Sequence, residues 1–257
     1  MCFFNSLAVS AAAIAGKYGR GMDIIEAVRH ILAEKEGYGR TGVQEEVYCI
    51  AAYSRSQCVI VSDSDELQVM QWGLIPHSAS AADRERYDRE SWFKNARAEE
   101  IFTTWPYRML IQSRRCVIPS TGYFEYHYDA KGKTQPYFIY PGGREVFPMA
   151  GLWDTWQHPQ TGEQIKSFVQ ITTAANPFSA KIHNGGRHPG RQPLILEDGE
   201  VEKWLNSGMT DKKDISKFLK VYPENDMRAH PVSKDFRSMN PRSKEVIREE
   251  PTAEKLF

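Results

Sequence analysis

No C-x-x-C pair occurs among the four cysteines, Cys2, Cys49, Cys58 and Cys116, and their separations match no common zinc-ligand spacing. Scattered thiols without a framework suit a reducing compartment, where Cys49, Cys58 and Cys116 are expected to be small core residues. Long apolar runs are missing too. Residues 6–16 form a short apolar stretch without the basic residues that open a secretory signal. No other segment approaches the roughly 18 apolar residues that a membrane span needs. Charge of one sign is also lacking, since 33 basic residues face 33 acidic ones. Binding to a polyanion through net charge is thereby excluded, and any such partner must be met by a local cationic cluster. No internal repeat is visible. The expectation is a cytoplasmic, monomeric protein with no metal and no organic cofactor.

Aromatic residues are plentiful, with twelve Tyr, twelve Phe and six Trp. Such a content favours β structure or a stacking surface. Along the chain, residues 6–18 and 22–35 read as helices, the second from apolar residues at helical spacing. Strands are predicted over 46–52, 57–61, 66–74, 116–119, 122–128, 136–140, 149–156, 167–173 and 193–196, with Gly- and Pro-containing turns between several of them. Residues 77–94 read as a loop, 99–112 as an interrupted helix and 185–192 as a basic, glycine-rich loop. Short helices are predicted after Asn176-Pro177 and over 199–206. This pattern is that of an α+β protein, with one domain over residues 2–232 and a polar, extended tail over 233–257.

The chemistry begins at Met1-Cys2. Methionine aminopeptidases remove Met1 when the second side chain is small, and the mature chain then begins with a 1,2-aminothiol. An α-amine with a pKa near 8 is about one-tenth unprotonated at neutral pH, and a thiol near 8.5 is similarly poised. The amine can condense with an aldehyde, and the thiol can close a five-membered thiazolidine on the resulting imine. Four further segments carry chemistry-bearing residues: Trp72-Gly-Leu-Ile-Pro76, Asn95-Ala-Arg97-Ala-Glu99, Pro119-Ser-Thr-Gly-Tyr-Phe-Glu125-Tyr126, and Lys181-Ile-His183-Asn184 with Arg191-Gln-Pro193 beyond it.

In their order and spacing these five segments resemble the SRAP family (SOS response-associated peptidase, or abasic-site processing proteins). The resemblance runs from Cys2 to about Pro193, and the flanking strands extend it to about residue 232. It implies a β-rich fold, with a twisted or barrel-like antiparallel sheet and flanking helices. It also implies single-stranded DNA containing abasic sites as the partner, and a thiazolidine crosslink as the product. Two departures stand out. Phe3-Phe4 follow Cys2 where the family often has Gly-Arg, and Tyr123, Phe124 and Tyr126 surround Glu125 where tryptophans are usual.

On that resemblance Cys2, Asn95, Glu125 and His183 are the expected catalytic residues. His183, with an ordinary pKa near 6.5, suits proton transfer at the sugar ring oxygen. Glu125 either lies on a solvent face or is buried with a raised pKa, in which case it can move a proton between the amine and the leaving hydroxyl. Strand alternation puts Tyr123 on its face, and Phe124 and Tyr126 on the other. Asn95 can hold the amine or backbone of Cys2. Arg97, Trp72, Arg114, Arg115, Arg187 and Arg191 are the expected DNA contacts, with Arg108 beside them. Trp72 either stacks on a base or sits in the core, and Arg114-Arg115 either line the groove or form a solvated turn. Glu99 can pair with Arg97.

Two other classes of function fit the same residues. In a thiol hydrolase, Cys2, His183 and Asn95 take the roles of a Cys-His-Asn peptidase. In a DNA-binding scaffold, Cys2 is inert. The crosslinking reading requires a free residue 2. The intact mass of the purified protein is expected to match the chain without Met1, and a mass that includes Met1 would exclude that reading.

Overall fold

The computed structural model describes residues 3–23, 46–89, 92–251 and 256. Two sheets organise the chain. The first is antiparallel throughout, in the order β12 (Met227–Pro231), β8 (Thr134–Pro141), β7 (Gly122–Tyr128), β1 (Phe4–Leu7), β2 (Val47–Ala51). The second runs β3 (Gln57–Ile60), β4 (Gln68–Trp72), β10 (Gln164–Ala174), β9 (Phe147–Gln157), β6 (Arg115–Ser120). β10 is long enough to pair in succession with β4 and β5 (Asn95–Arg97), both parallel, and with β9 and β11 (Arg191–Pro193), both antiparallel. Val61 and Val117 exchange backbone hydrogen bonds of 3.0 and 2.8 Å, which join the β3 end of this sheet to β6 and nearly close it into a barrel. Closure protects strand edges and encloses the larger apolar core.

β7 shows why the sheets stack. Tyr123 faces the larger core, fully buried, with its hydroxyl 3.5 Å from Ser179 Oγ. Phe124, next along, faces a second apolar cluster with Phe4, Phe138 and Phe236. The alternation expected from the sequence therefore holds, but both faces are covered. Gly122 opens the strand because a Cβ there would meet the Phe138 ring at 2.1 Å. β1 pairs with β7 at Asn5↔Tyr123 and Ser6↔Gly122. Continuing that register brings Phe3 level with Glu125.

Several expectations are corrected. Residues 6 and 7 belong to β1 and not to a helix; α1 spans Ala11–Tyr18, capped by Ser10 Oγ accepting from Ala13 N–H. The helix expected over 22–35 lies, from residue 24 on, outside the described residues. The 77–94 loop contains α2 (Ala81–Arg89), whose mean polarity hid it from a periodicity reading. The 99–112 helix is reduced to one α turn, α3 (Tyr107–Leu110), because Pro106 lacks the amide proton a longer helix would use. β5 and β12 escaped notice, each being short and polar. The predicted 193–196 strand begins at Arg191 instead, as β11.

Residues 233–250, read from the sequence as a polar tail, lie against the Phe124 face. Phe236 and Val246 are fully buried, and Phe236 stacks on Phe124 at 4.6 Å with an interplanar angle of 11°. Pro241 C=O accepts from Tyr48 N–H at 2.7 Å, and His230 Nε2 lies 2.7 Å from Ile247 C=O. Phe236, Met239, Val246 and Ile247 are too widely spread in a charged segment to register as a pattern, yet they anchor it. Phe236→Ala is expected to lower the unfolding free energy by roughly 3–5 kcal/mol, whereas the exposed Lys234→Ala changes it by under about 0.5. Urea denaturation of both variants checks this.

Candidate active site

Beyond the described pairing of β1 with β7 lies a cleft of about 410 Å³. Glu125 and His183 line it on one side. Phe3, Tyr53 and Tyr126 form an aromatic wall, and the 185–188 loop with Tyr128 completes it. The loop is held by Asn184, whose side-chain amide accepts from Tyr128 N–H at 2.8 Å and donates to Tyr128 C=O at 2.9 Å. Gly185 follows because a Cβ there would meet the Tyr128 ring at 2.5 Å.

Glu125 is 5% exposed, and its Oε1 has no hydrogen-bond partner among the described residues. Burial raises its pKa to about 7, although the positive charge of the amino terminus offsets part of that rise. His183 caps the C-terminal end of α4 (Pro177–Ile182), a helix started by Asn176 Oδ1 accepting from Ser179 N–H at 2.7 Å. Its Nδ1 is 3.0 Å from Arg191 C=O and 3.2 Å from Arg191 N, while Nε2 points at Glu125 Oε2, 3.7 Å away. Burial lowers the His183 pKa to about 4. The expectation that this histidine titrates near 6.5 is therefore corrected: desolvation of the imidazolium keeps it neutral at pH 7. The labile proton of the pair resides on Glu125. A carboxyl poised near neutrality can both give and take a proton, which suits acid–base catalysis.

A cationic lip borders the cleft. Arg187 is exposed and lines it. Arg97 reaches across from β5, with Nη2 3.0 Å from His188 Nδ1 and Nη1 3.2 Å from Glu100. Burial, together with Arg97, Arg187 and Arg191, lowers the His188 pKa. Arg191 is the pairing partner of Glu99, by two hydrogen bonds of 2.8 and 2.9 Å, and it also donates to Thr172 C=O at 2.7 Å. Glu99 thus pairs with Arg191 and not with Arg97, and Arg191 is largely committed to holding β11 and the segment after β5 together.

The other expected contacts lie elsewhere. Trp72 is 1% exposed, stacks on Phe168 and donates its indole N–H to Lys94 C=O at 3.0 Å, so neither ring face is open to a base. Arg115 is equally buried, its guanidinium donating to the carbonyls of Ile111, Gln112, Trp204 and Asn206. That makes it a structural cation satisfied by carbonyls at the ends of two short helices, not a groove residue. Arg114 pairs with the buried Asp154 at 3.3 Å and covers the Trp153 ring. Arg108 is exposed on α3 and does not line the cleft. Asn95 is buried on β5, paired in register with Gln170, and is not among the described residues lining the cleft. Phe93 packs against Tyr87 and Tyr107 as a loop anchor. Cys2 lies outside the described residues, but its chain neighbour Phe3 lines the cleft. Burial raises the thiols of Cys49, Cys58 and Cys116, that of Cys49 to about 12, and so leaves them unreactive.

Tyr53, Tyr128 and His188 are cleft residues that the sequence reading did not name, and Phe3 entered it only as a departure from the family pattern. Phe3 and Tyr128 sit directly beside quoted segments, whereas Tyr53 lies in a turn with no motif.

The sequence matches the family described as SOS response associated peptidase (SRAP) over residues 1–239. Among curated proteins, Abasic site processing protein YoqW of Bacillus subtilis is 32% identical over 201 residues, which is 76% of this chain and 83% of that protein. Abasic site processing protein HMCES of Xenopus tropicalis is 31% identical over 193 residues, 67% of this chain and 54% of that longer protein. A crystal structure of a protein from Bacteroides thetaiotaomicron superposes with a TM-score of 0.87 at 33% identity, covering 97% of this chain and 100% of that one.

The proton on Glu125 has a measurable consequence. Folding raises its pKa from 4.5 to about 7, so the folded state holds a proton that the unfolded state loses above pH 4.5. Stability from this group is full below pH 4.5 and declines as pH rises toward and past 7. His183 acts oppositely between pH 4 and 6.5, where the unfolded state binds the extra proton. Glu125→Gln removes only the first effect. Its stability relative to the parent is expected to rise on the order of 3 kcal/mol between pH 4.5 and pH 8. Urea titrations across that range test it, and a pH-independent difference would contradict the assignment.

Proposed function

The chain belongs to the SRAP family, and on that premise we propose that it captures abasic sites in single-stranded DNA covalently through Cys2. The observation that carries this reading is the proton-holding Glu125–His183 pair in an open cleft that Phe3 borders. The reading requires residue 2, whose Cα is about 3.8 Å from that of Phe3, to reach that pair. The relatives named above as abasic site processing proteins support the substrate class.

The chemistry follows from the residues. The abasic sugar is mostly a closed hemiacetal. A proton from Glu125 passes through His183 Nε2 to the ring oxygen as the bond from C1 to that oxygen breaks, and the C1 hydroxyl gives its proton to water, leaving the aldehyde. Glu125, now a carboxylate, takes a proton from the α-ammonium of Cys2, and the free amine adds to the aldehyde carbon. Glu125 returns the proton to the carbinolamine hydroxyl, which leaves as water and gives the imine. The Cys2 sulfur then bonds to the imine carbon while its proton passes to nitrogen, closing the thiazolidine with net loss of one water. Arg187 and Arg97 hold flanking phosphates. Asn95, buried near Arg97 on β5, is assigned a positioning role. Removal of Met1 is required, whether by an aminopeptidase or by the site itself.

A hydrolase of Cys-His-Asn type is less well supported. The place an orienting asparagine takes in such a triad, against His183 Nδ1, is filled by the Arg191 backbone.

Incubation with an oligonucleotide carrying one abasic site should give a slower band on a denaturing gel. Cys2→Ala, or one extra residue ahead of Cys2, should abolish that band. Cys2→Ser should yield an adduct only after borohydride trapping. Glu125→Gln should slow adduct formation by about 10²–10⁴-fold with little change in affinity for uncleavable analogue DNA. A stable band from the extended chain would contradict the amine mechanism, and released protein without a band would favour hydrolysis.

A further inference from the structure

We propose that Arg237, carried by the C-terminal crossing, holds a backbone phosphate of the strand where it leaves the cleft past Tyr126, on the other side of the lesion from Arg187. The inference rests on the capture reading above. Residues 233–250 cover the Phe124 face, and Arg237 gives them a second role. It directly follows the buried Phe236, in a turn closed by Phe236 N–H donating to Ser233 C=O at 3.1 Å and Ser238 N–H donating to Asp235 C=O at 2.9 Å. The backbone is thus fixed while the side chain is exposed. Two neighbours aim that side chain. Its guanidinium donates to the Tyr126 hydroxyl and lies over the Phe4 ring, 5.6 Å from the ring centre. Among the described residues no carboxylate pairs with it, whereas Arg20, Arg114, Arg144 and Arg191 are each paired. Arg237 is a held cation with donors to spare.

The occupant follows from where that cation stands. Tyr126 lines the cleft, and Arg237 lines a shallow groove beside it, together with Phe4 and Ser54. The turn Ala52–Ser54 borders both, with Tyr53 in the cleft and Ser54 in the groove. Burial raises the Tyr53 pKa, and the charge of Arg237 offsets part of the rise, so the guanidinium is close to the cleft wall. An abasic nucleotide has lost its base but keeps a phosphate on each side, and the backbone is what remains to be held. A guanidinium meets a phosphate with two parallel N–H donors. Arg187 stands at the 185–188 rim, and Arg237 stands beyond the aromatic wall. A strand whose base-free sugar lies at Glu125 and His183 therefore meets one cation on entering and another on leaving. A ligand confined to the cleft would not reach Arg237.

The test uses single-stranded oligonucleotides with a central tetrahydrofuran residue, which has no aldehyde and cannot crosslink. In a series of strands, one phosphate at a time on either side of the tetrahydrofuran is replaced by an uncharged methylphosphonate. Affinity is read by fluorescence anisotropy for the parent chain, Arg237→Gln, Arg237→Lys and Arg187→Gln. Arg237→Gln is expected to weaken binding of the all-phosphate strand by about 3- to 30-fold. It should also make the slope of log affinity against log salt shallower by about 0.7. One methylphosphonate should weaken the parent chain to a similar degree and cost Arg237→Gln nothing further, while the others multiply with the substitution. Arg187→Gln should couple in the same way to a phosphate on the other side of the tetrahydrofuran. Arg237→Lys should keep the parent's salt slope and recover part of the affinity. Unchanged affinity in Arg237→Gln, losses that multiply at every position, or coupling of both arginines on one side would overturn the proposal. So would a parent chain that is indifferent to every methylphosphonate, a result that needs no variant to fold. A parent chain that binds these strands but forms no adduct with a true abasic site would instead refute the capture reading and leave the phosphate contact to stand on its own.

Discussion

A carboxyl group removed from water keeps its proton when desolvation outweighs the nearby positive charge, and the rest of the site is arranged around one such group. Glu125 is buried in the middle of a strand, its Oε1 lacks a hydrogen-bond partner among the described residues, and the nearby imidazole is itself desolvated. Because both groups sit in low dielectric, ionising the pair costs more than leaving it neutral. The Arg191 backbone engages His183 Nδ1 and so turns Nε2 toward the carboxyl. Proton transfer in the cleft can therefore proceed near neutral pH without a bound metal in the scheme, using a group that water would hold ionised.

That burial depends on covering both faces of β7. The barrel-like sheet and α4 lie against the Tyr123 face, where His127 Nδ1 also meets Lys181 C=O at 2.9 Å. The C-terminal crossing of residues 233–250 lies against the other, through Phe236. The cleft lies beyond the described pairing of β1 with β7, beside Glu125. The same geometry explains how a chain with no net charge could meet DNA. Arg97 and Arg187 gather around His188 at one lip, while Arg20, Arg114, Arg144 and Arg191 are committed to carboxylates elsewhere.

Much of this was legible in the sequence, and the failures have physical causes. Strands with several apolar or aromatic residues, such as β7, β9 and β10, declared themselves, because half-buried strands repeat every two residues. Glu125 and His183 were found as members of a motif, and the alternation of Tyr123 with Phe124 was read correctly. Burial was not legible in the same way. Trp72 and Arg115 are side chains that could stack or bind phosphate, and nothing local reveals that Phe168 and four carbonyls already occupy them. The direction of the His183 shift was hidden for the same reason, since desolvation is a tertiary property. Tyr53 carries no motif and acquires meaning from Phe3, a departure noted in the sequence as the loss of an arginine. The 233–250 crossing misled because its charges outnumber the few apolar residues that fix it.

The central claim is that Glu125 holds its proton near neutrality while His183 stays neutral. Carbon-13 NMR of protein labelled at glutamate side-chain carboxyls, with the Glu125 signal assigned through the Glu125→Gln variant, reads this directly. The account predicts a titration midpoint near 7 for Glu125. A midpoint near the ordinary carboxylate value of about 4.3 would contradict it.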